Sequence, residues 1–364
     1  DNQTPSDKGV RSRILALMTG MVKGQFQKSL SQAGAIPAQN FIISFPRPAP
    51  LRATSAGVRG YILRNFINRS VLPLRRNFRM SKVAIVTDST ANIPEAMLQG
   101  LPLHALPLHV IWGENNYADG IDITPTEFYT RLQTAKTMPT TSQVTPGAFR
   151  DLYSRLLEEG YEILSLHISA KLSGTLDSAQ QAVQFFPGAK ISLVDSESTS
   201  MAMGFLALAV ARAAQQGATL TECTQLAQHA RTNINVYFVP STLEFLHRGG
   251  RIGGAAALVG TALNLKPILT LRDGRVEAIE RVRTMSKALD RMMEHVSTSI
   301  DGRRPVRLAA IHAKSPDEAA QLLERARQNF SVSEVSDALC AEVSPVIGTH
   351  TGPGTVGLAF MTGL

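Results

Sequence analysis

The stretch EILSLHISAKLSGTLDSAQQAVQFF (162–186) decides the fold, because its pattern changes from that of a strand to that of a helix. Residues 162–168 form a short apolar run, whereas 177–186 repeat small and apolar side chains at helical spacing. The junction between them holds Ser173-Gly174-Thr175. Three roles suit two hydroxyls and a glycine at such a junction: a nucleophile, a cradle for an anion, or a simple helix cap.

The same alternation extends in both directions from this unit. Before it, the sequence predicts a strand at 83–87, a hairpin formed by 103–111 and 117–123, and helices that begin after Thr124 and Thr145. After it, the sequence predicts a strand at 190–194 and helices at 199–216 and 220–233. Alternating strands and helices indicate an α/β fold with a mostly parallel sheet.

From residue 236 the pattern becomes richer in antiparallel signals. The predicted elements are strands at 236–239, 267–271, 276–282 and 306–312, helices from 286 and at 317–328, and two closing strands. The turn Arg272-Asp-Gly-Arg predicts a hairpin between the second and third of these strands. We therefore predict two α/β domains, residues 80–235 and 236–364.

Composition is that of a globular protein, with 44% hydrophobic and 18% charged residues. The only cysteines, Cys223 and Cys340, offer neither a disulfide framework nor a paired metal spacing, which favours a reducing compartment such as the cytoplasm. No apolar run approaches the ~20 residues of a membrane span.

The net charge of +8 is unevenly distributed. Residues 1–79 carry 13 Lys/Arg against 2 Asp/Glu, whereas residues 80–364 carry 24 against 27. We expect the basic segment to be a disordered or non-native extension, translated upstream of a natural start at Met80. The alternatives are an organelle-targeting peptide and a nucleic-acid-binding arm. The main body itself gives no sign of binding nucleic acid.

Four loops at predicted strand ends collect hydroxyls, glycines and one histidine: 140–143, 173–175, 195–196 and 348–354. In open α/β sheets such ends bind ligands, and helix N-termini there offer free amides to anions. Taken singly, each Ser or Thr also fits a helix cap. The Gly-x-Ser-x-Gly elbow is absent around Ser173, and no phosphate-binding loop or metal-ligand spacing is present, so we predict no cofactor and no metal. An esterase or thioesterase that uses Ser173 with a histidine such as His350 remains the enzymatic alternative.

Several apolar side chains could line a ligand cavity or belong to the core. They are Met201, Met203, Phe205, Leu206 and the run 255–263. Methionine adapts to flexible apolar ligands, which slightly favours the cavity.

Six ordered motifs resemble the signatures of the DegV family. They are VAIVTDSTANIP (83–94), TTSQVTPGAF (140–149), SAKLSGTLDSA (169–179), LVDSESTSMAMG (193–204), LEFLHRGGRIGG (243–254) and THTGPGTVGLAF (349–360). The resemblance extends from Met80 to the C-terminus and leaves out residues 1–79. Val144, Ala170 and Leu176 depart from residues that are common at these motif positions.

The resemblance implies two α/β domains with a long-chain fatty acid (C14–C18) bound between them. It further implies a bacterial subunit without catalytic activity of its own, which presents the fatty acid to a separate ATP-dependent fatty acid kinase for acyl phosphate formation and phospholipid synthesis. A monomer with transient proximity to membranes would suit that role.

Site residues follow from the same resemblance. Thr141, Ser142, Ser173 and Gly174 would bind the carboxylate, with His350 nearby. Met201, Met203, Phe205, Leu258 and Leu263 would line the acyl-chain pocket, and Arg251, Arg281 and Arg283 would contact the kinase.

Overall fold

The computed structural model describes residues 82–259 and 265–364; the basic segment 1–79 and Leu263 lie outside this part. Its strands are β1 (Lys82–Asp88), β2 (Leu103–Leu106), β3 (His109–Trp112), β4 (Asn115–Ala118), β5 (Thr140–Ser142), β6 (Tyr161–His167), β7 (Ile191–Asp195), β8 (Ile234–Val239), β9 (Lys266–Arg272), β10 (Arg275–Val282), β11 (Val306–His312), β12 (Val335–Glu342) and β13 (Val356–Thr362). Its helices are α1 (Pro125–Leu132), α2 (Pro146–Glu158), α3 (Thr175–Val183), α4 (Ser200–Gln215), α5 (Leu220–Ala230), α6 (Glu244–Arg248), α7 (Met285–Ile300), α8 (Pro316–Gln328) and α9 (Pro345–Thr351).

The first half of the described chain contains a four-stranded parallel sheet, in the order β2–β1–β6–β7. Its two central strands, β1 and β6, are almost continuously buried, as the unbroken apolar runs in their sequences predict. The strand–turn–helix unit of 162–186 lies here as β6 and α3. The predicted parallel α/β arrangement is confirmed for this half.

A six-stranded mixed sheet forms the second half, in the order β10–β9–β8–β13–β11–β12. Only the β11–β12 pair is parallel, which confirms the stronger antiparallel character. The β9–β10 hairpin turns at Asp273 and Gly274, whose φ angles of 50° and 76° are those of a type I′ turn. Helices α7 and α8 cover the outer face of this sheet. The division near residue 235 stays a prediction.

Helix α4 lies between the two sheets. It contacts β1 on one side and β8, β11 and β13 on the other, and nearly all of its side chains are buried. Its sequence, SMAMGFLALAVARAAQ, is apolar on every face, which is the pattern of a helix enclosed in a core. Gly204 permits its close approach to the turn that follows β1, because a Cβ there would lie 2.6 Å from the carbonyl oxygen of Ala91. One apolar core therefore joins both halves.

The predicted 103–111 strand is wrong as a single element. Pro107, which has no backbone N–H, separates β2 in the parallel sheet from β3 in a third sheet, which is antiparallel and has the order β4–β3–β5. His104 and His109 accordingly lie on different strands. The hairpin turn after Trp112 is confirmed, but its second strand is β4, which ends at Ala118 rather than at residue 123.

Two predicted loops also differ. Residues 140–142 form the short edge strand β5, which pairs with β3. His350 lies within helix α9, which begins at Pro345. Proline in the first helical position is a start signal for a helix, but the glycines that follow His350 make the segment resemble a loop.

Candidate functional site

A cavity of about 360 Å³ lies against the inner face of the mixed sheet. Residues from both halves of the described chain line it. The apolar lining consists of Leu108, Ile168, Leu172, Val236, Phe238, Leu246, Leu271, Val276, Ile311, Val343, Val346 and Ile347. The volume falls in the usual range of small-molecule sites, roughly 300–1,000 Å³.

The strands of the mixed sheet supply one wall through their alternation. Ile311, Gly357 and Phe238 occupy one row across β11, β13 and β8, so their side chains point to the same face. Gly357 leaves room in this row, because a Cβ there would lie 2.8 Å from the Cβ of Phe238. The next row brings Val276 beside Leu271 on the same face. Helix α4 packs against part of this face, and the cavity lies against the rest of it.

Thr141 and His350 form a polar pair on the cavity wall. Thr141 Oγ1 and His350 Nε2 are 2.8 Å apart, although the residues are 209 positions apart in sequence. Thr141 is held by the pairing of β5 with β3, and His350 by α9. Gly249 provides the space for the imidazole, since a Cβ there would lie 2.1 Å from its Nδ1. Burial and the neighbouring charge of Arg251 lower the pKa of His350 to about 4, so the ring is neutral at pH 7.

Ser173 lines the same cavity at the start of α3. Its Oγ lies 2.9 Å from Thr175 Oγ1 and accepts a hydrogen bond from the Thr175 amide, so the hydroxyl contacts the first residue of the helix. Gly174 is the N-cap residue, and its bare Cα lies under the amide group of Gln143. Gln143 in turn donates to Ser178. The quoted TTSQ motif contained Gln143, but the predicted site did not include it.

Arg251 lies on the cavity wall, close to the polar pair. Its Nε donates to the carbonyl of Leu172 and its Nη1 to the carbonyl of Gly249. Among the residues that the structure describes, no carboxylate pairs with it. At this end the cavity therefore receives a positive charge that no carboxylate of residues 82–259 or 265–364 compensates. Sequence reasoning placed Arg251 toward a partner protein and did not anticipate this position.

A smaller depression, of about 270 Å³, adjoins the cavity at this end. Thr141, Arg251 and His350 line both spaces. Exposed residues such as Thr140 and Arg248 complete the depression, so this is the end of the cavity that faces the surface. We call it the mouth.

The other predicted site residues divide into three groups. Ser142 lines the cavity. Met201, Met203 and Phe205 are fully buried in α4 and do not line it, because they belong to the core between the sheets. Leu258 is half-buried outside the cavity wall, while Arg281 and Arg283 are exposed at the end of β10.

A buried hydrogen-bonded chain resembles a catalytic triad but is closed to solvent. Asp88 Oδ2 lies 3.0 Å from His167 Nδ1, and His167 Nε2 lies 2.6 Å from Ser165 Oγ. All three residues are 0% exposed, and Tyr153 donates to the same serine hydroxyl. No substrate atom can reach Ser165, so this chain is structural. Asp88 and His167 end neighbouring parallel strands, a signal that could have predicted their contact.

The predicted alternative of a Ser173 hydrolase finds no support in the geometry. The imidazole of His350 is paired with Thr141, and within the described part of the chain Ser173 Oγ hydrogen-bonds only to the amide and the hydroxyl of Thr175. A nucleophilic serine needs a base within hydrogen-bond reach. Within 82–259 and 265–364 there is also no cluster of His, Cys, Asp or Glu that could hold a metal ion, and no helix has the length and apolar character needed to cross a bilayer.

Acidification should destabilise the folded chain through His350. Its pKa is about 4 in the folded state and roughly 6.5 in the unfolded chain, so the unfolded state takes up the proton first. The free energy of unfolding should fall by up to about 3 kcal/mol as the pH drops from about 6.5 to about 4. Urea denaturation of the wild type and His350→Gln across this range measures the effect. An equal pH slope in both proteins would contradict it. The contributions of other shifted groups persist in the variant, among them His104 and His312, whose pKa values burial lowers, and Glu334, whose pKa hydrogen bonds lower.

Comparison with known proteins gives a consistent result. The family model described as "Uncharacterised protein, DegV family" matches residues 82–363. A DegV domain-containing protein of Streptomyces coelicolor is 41% identical over 277 residues, which cover 76% of this chain and 97% of that protein.

Two solved structures are similar over the same region. A DegV family protein from Thermus thermophilus, described as binding fatty acid, has 39% identity and a TM-score of 0.73, with 77% of this chain and 99% of that chain covered. DegV of Bacillus subtilis, described as a fatty acid binding protein, has 32% identity and a TM-score of 0.70, with 78% and 99% covered. The predicted family and α/β fold class are confirmed: the chain belongs to the DegV family.

Proposed function

We propose that this protein binds a long-chain fatty acid (C14–C18) in the cavity and presents its carboxylate to a separate, ATP-dependent fatty acid kinase subunit. The observation that carries the proposal is the division of the cavity wall. Twelve apolar residues form most of the wall, whereas Thr141, Arg251 and His350 lie at the mouth. The similarity to fatty-acid-binding DegV proteins supports the same ligand class.

The acyl chain supplies most of the binding free energy in this proposal. Burying ~14 methylenes at ~0.8 kcal/mol each gives roughly 11 kcal/mol before entropy costs, which is ample for tight capture. Aliphatic side chains such as Leu271 and Ile347 supply the apolar surface against which such a chain would pack.

The carboxylate would lie next to the mouth, between Thr141 and His350 at the mouth itself and Ser142 and Ser173, which line the cavity but not the depression. Hydroxyl donors and the neutral imidazole hold it by hydrogen bonds, and Arg251 adds a favourable potential. This arrangement leaves one side of the carboxylate toward the adjoining depression, where a phosphoryl donor could approach.

Phosphoryl transfer requires parts that the described cavity wall does not supply. Such chemistry depends on a nucleotide-binding loop, a metal and a positioned base. A separate kinase subunit would provide them in the cytoplasm, and the acyl phosphate would enter phospholipid synthesis. The exposed Arg281 and Arg283, with Arg251 at the mouth, would contact that subunit.

Mass spectrometry of an organic extract from the purified chain tests the ligand. A stoichiometric C14–C18 fatty acid supports the proposal. An empty extract, together with no rise in Tm when palmitate or oleate is added, overturns it. ATP-dependent acyl phosphate formation that requires both this chain and a bacterial fatty acid kinase subunit tests the presentation step.

Removing hydroxyls at and next to the mouth should weaken fatty acid binding. We expect Thr141→Val and Ser173→Ala each to raise the Kd for palmitate by about tenfold, because each removes one hydrogen bond to a charged group. Thr130→Val is the matched control, since Thr130 is an exposed threonine on α1. Isothermal titration calorimetry measures all three, and equal Kd values across the set would contradict the assigned carboxylate site.

A further inference from the structure

The cavity has a second polar region, at the N-terminus of α4. Thr199 and Ser200 both line the cavity, and neither belongs to the depression at the mouth. The hydroxyl oxygens of both residues are buried without a hydrogen-bond partner. Ser200 is only 2% exposed, so bulk water does not satisfy it.

The start of this helix is also uncapped. Thr199 occupies the N-cap position, yet its side chain accepts no hydrogen bond from the helix. The first-turn amides of any α-helix lack intrahelical acceptors, and here the first turn contains no acidic residue. Donors and two hydroxyls therefore converge at the positive end of a 16-residue helix.

The backbone of Ser200 is strained. Ser200 has φ of 54°, in the left-handed region that non-glycine residues rarely adopt. Such strain persists where the surrounding structure determines it, and it often marks ligand sites. The first turn of α4 lies inside the common core, which supplies that constraint.

The cavity that these two hydroxyls line is mainly apolar. Val236, Leu271 and Val276 line the same space. A plain hydrocarbon chain passing here would leave both hydroxyls unpaired, at a cost of about 1–3 kcal/mol for each buried polar group. A ligand oxygen would remove that cost.

We propose that the preferred acyl ligand carries a hydroxyl group on its chain, received by Ser200, Thr199 and the first amides of α4. A hydroxyl suits the region because it accepts hydrogen bonds from the amides and exchanges donor and acceptor roles with the serine and threonine. This inference rests on the proposed function, since it assumes that an acyl chain occupies the cavity with its carboxylate at the mouth.

Titration of the full chain with palmitate, with 2-, 12- and 16-hydroxypalmitate and with hexadecanedioic acid tests the inference. We expect at least one hydroxylated isomer to bind about tenfold more tightly than palmitate, which corresponds to one additional buried hydrogen bond. In Ser200→Ala, and in Ser200→Gly, which also relieves the positive φ, the ratio of the two Kd values should fall toward one. Ser286→Ala, an exposed serine in the first turn of α7, should keep the wild-type ratio.

The outcomes separate the two proposals. If palmitate binds and none of the isomers binds more tightly, or if the ratio survives both Ser200 variants, the hydroxyl subsite is overturned while fatty acid carriage stands. A gain confined to hexadecanedioic acid also overturns it, because the region would then select an anion. If neither palmitate nor any isomer binds, the proposed function itself fails.

Discussion

Val276→Trp is expected to raise the Kd for palmitate at least 100-fold while the chain stays folded. Val276 is 4% exposed on β10 and lines the cavity, so an indole at this position would occupy space that the acyl chain needs. Filling a cavity adds apolar contacts, and the remaining cost of misfit is about 1–3 kcal/mol. Binding is therefore lost for a steric reason that does not depend on unfolding.

Isothermal titration calorimetry with palmitate, together with thermal denaturation, checks this result. Val332→Trp makes the same chemical change at a side chain that is 92% exposed and should bind palmitate as the wild type does. If Val276→Trp kept the wild-type Kd with an unchanged fold, the acyl chain would have to bind elsewhere.

Asp88→Asn is expected to lower the free energy of unfolding by about 3–5 kcal/mol. The Asp88 carboxylate is fully buried and lies within hydrogen-bond distance of the Thr90 amide and hydroxyl, His167 Nδ1 and the Ile168 amide. An asparagine offers one oxygen in place of two, so its amide nitrogen must face a donor. The backbone amide of Ile168, a residue that follows β6 and lines the cavity, would then lose the acceptor of its hydrogen bond.

Urea denaturation at pH 7 measures the loss. Asp122→Asn is the control, because Asp122 also accepts a backbone amide, that of Ala118 at 2.8 Å, but does so at the surface. It should change the free energy of unfolding by less than about 1 kcal/mol. Equal effects of the two substitutions would show that burial does not determine the contribution of Asp88.

Much of the fold could be predicted because local signals agreed with the final structure. Thr124 forms the capping box with Glu127 that its spacing predicts, and the Asp273-Gly274 turn forms the predicted hairpin. The prediction of one strand at 103–111 is wrong for a local reason. Pro107 interrupts the strand, but the residues on both sides of it are apolar and read as one continuous run. The membership of β5 in a sheet depends on β3, a partner that its own three residues do not reveal.

The site could be predicted only in part, for a different reason. Hydroxyls in loops at strand ends are conspicuous in the sequence, and Thr141, Ser142 and Ser173 do line one cavity. Five of the twelve apolar wall residues lie on β8 to β11, and their inward direction depends on sheet register, while the other seven come from loops and from α6 and α9. Met203 and Phe205 looked suited to a ligand, but the partners of an all-apolar helix are set by tertiary packing.

The position of α4 has a consequence for dynamics. Because one helix contributes to the cores of both sheets, neither half can open without exposing it, and the described body should unfold as one cooperative unit. A ligand present at 100 times its Kd adds about 2.7 kcal/mol to the stability of such a unit. Amide hydrogen exchange should therefore slow in β12 and β2, at the far edges of the two sheets, as well as beside the cavity.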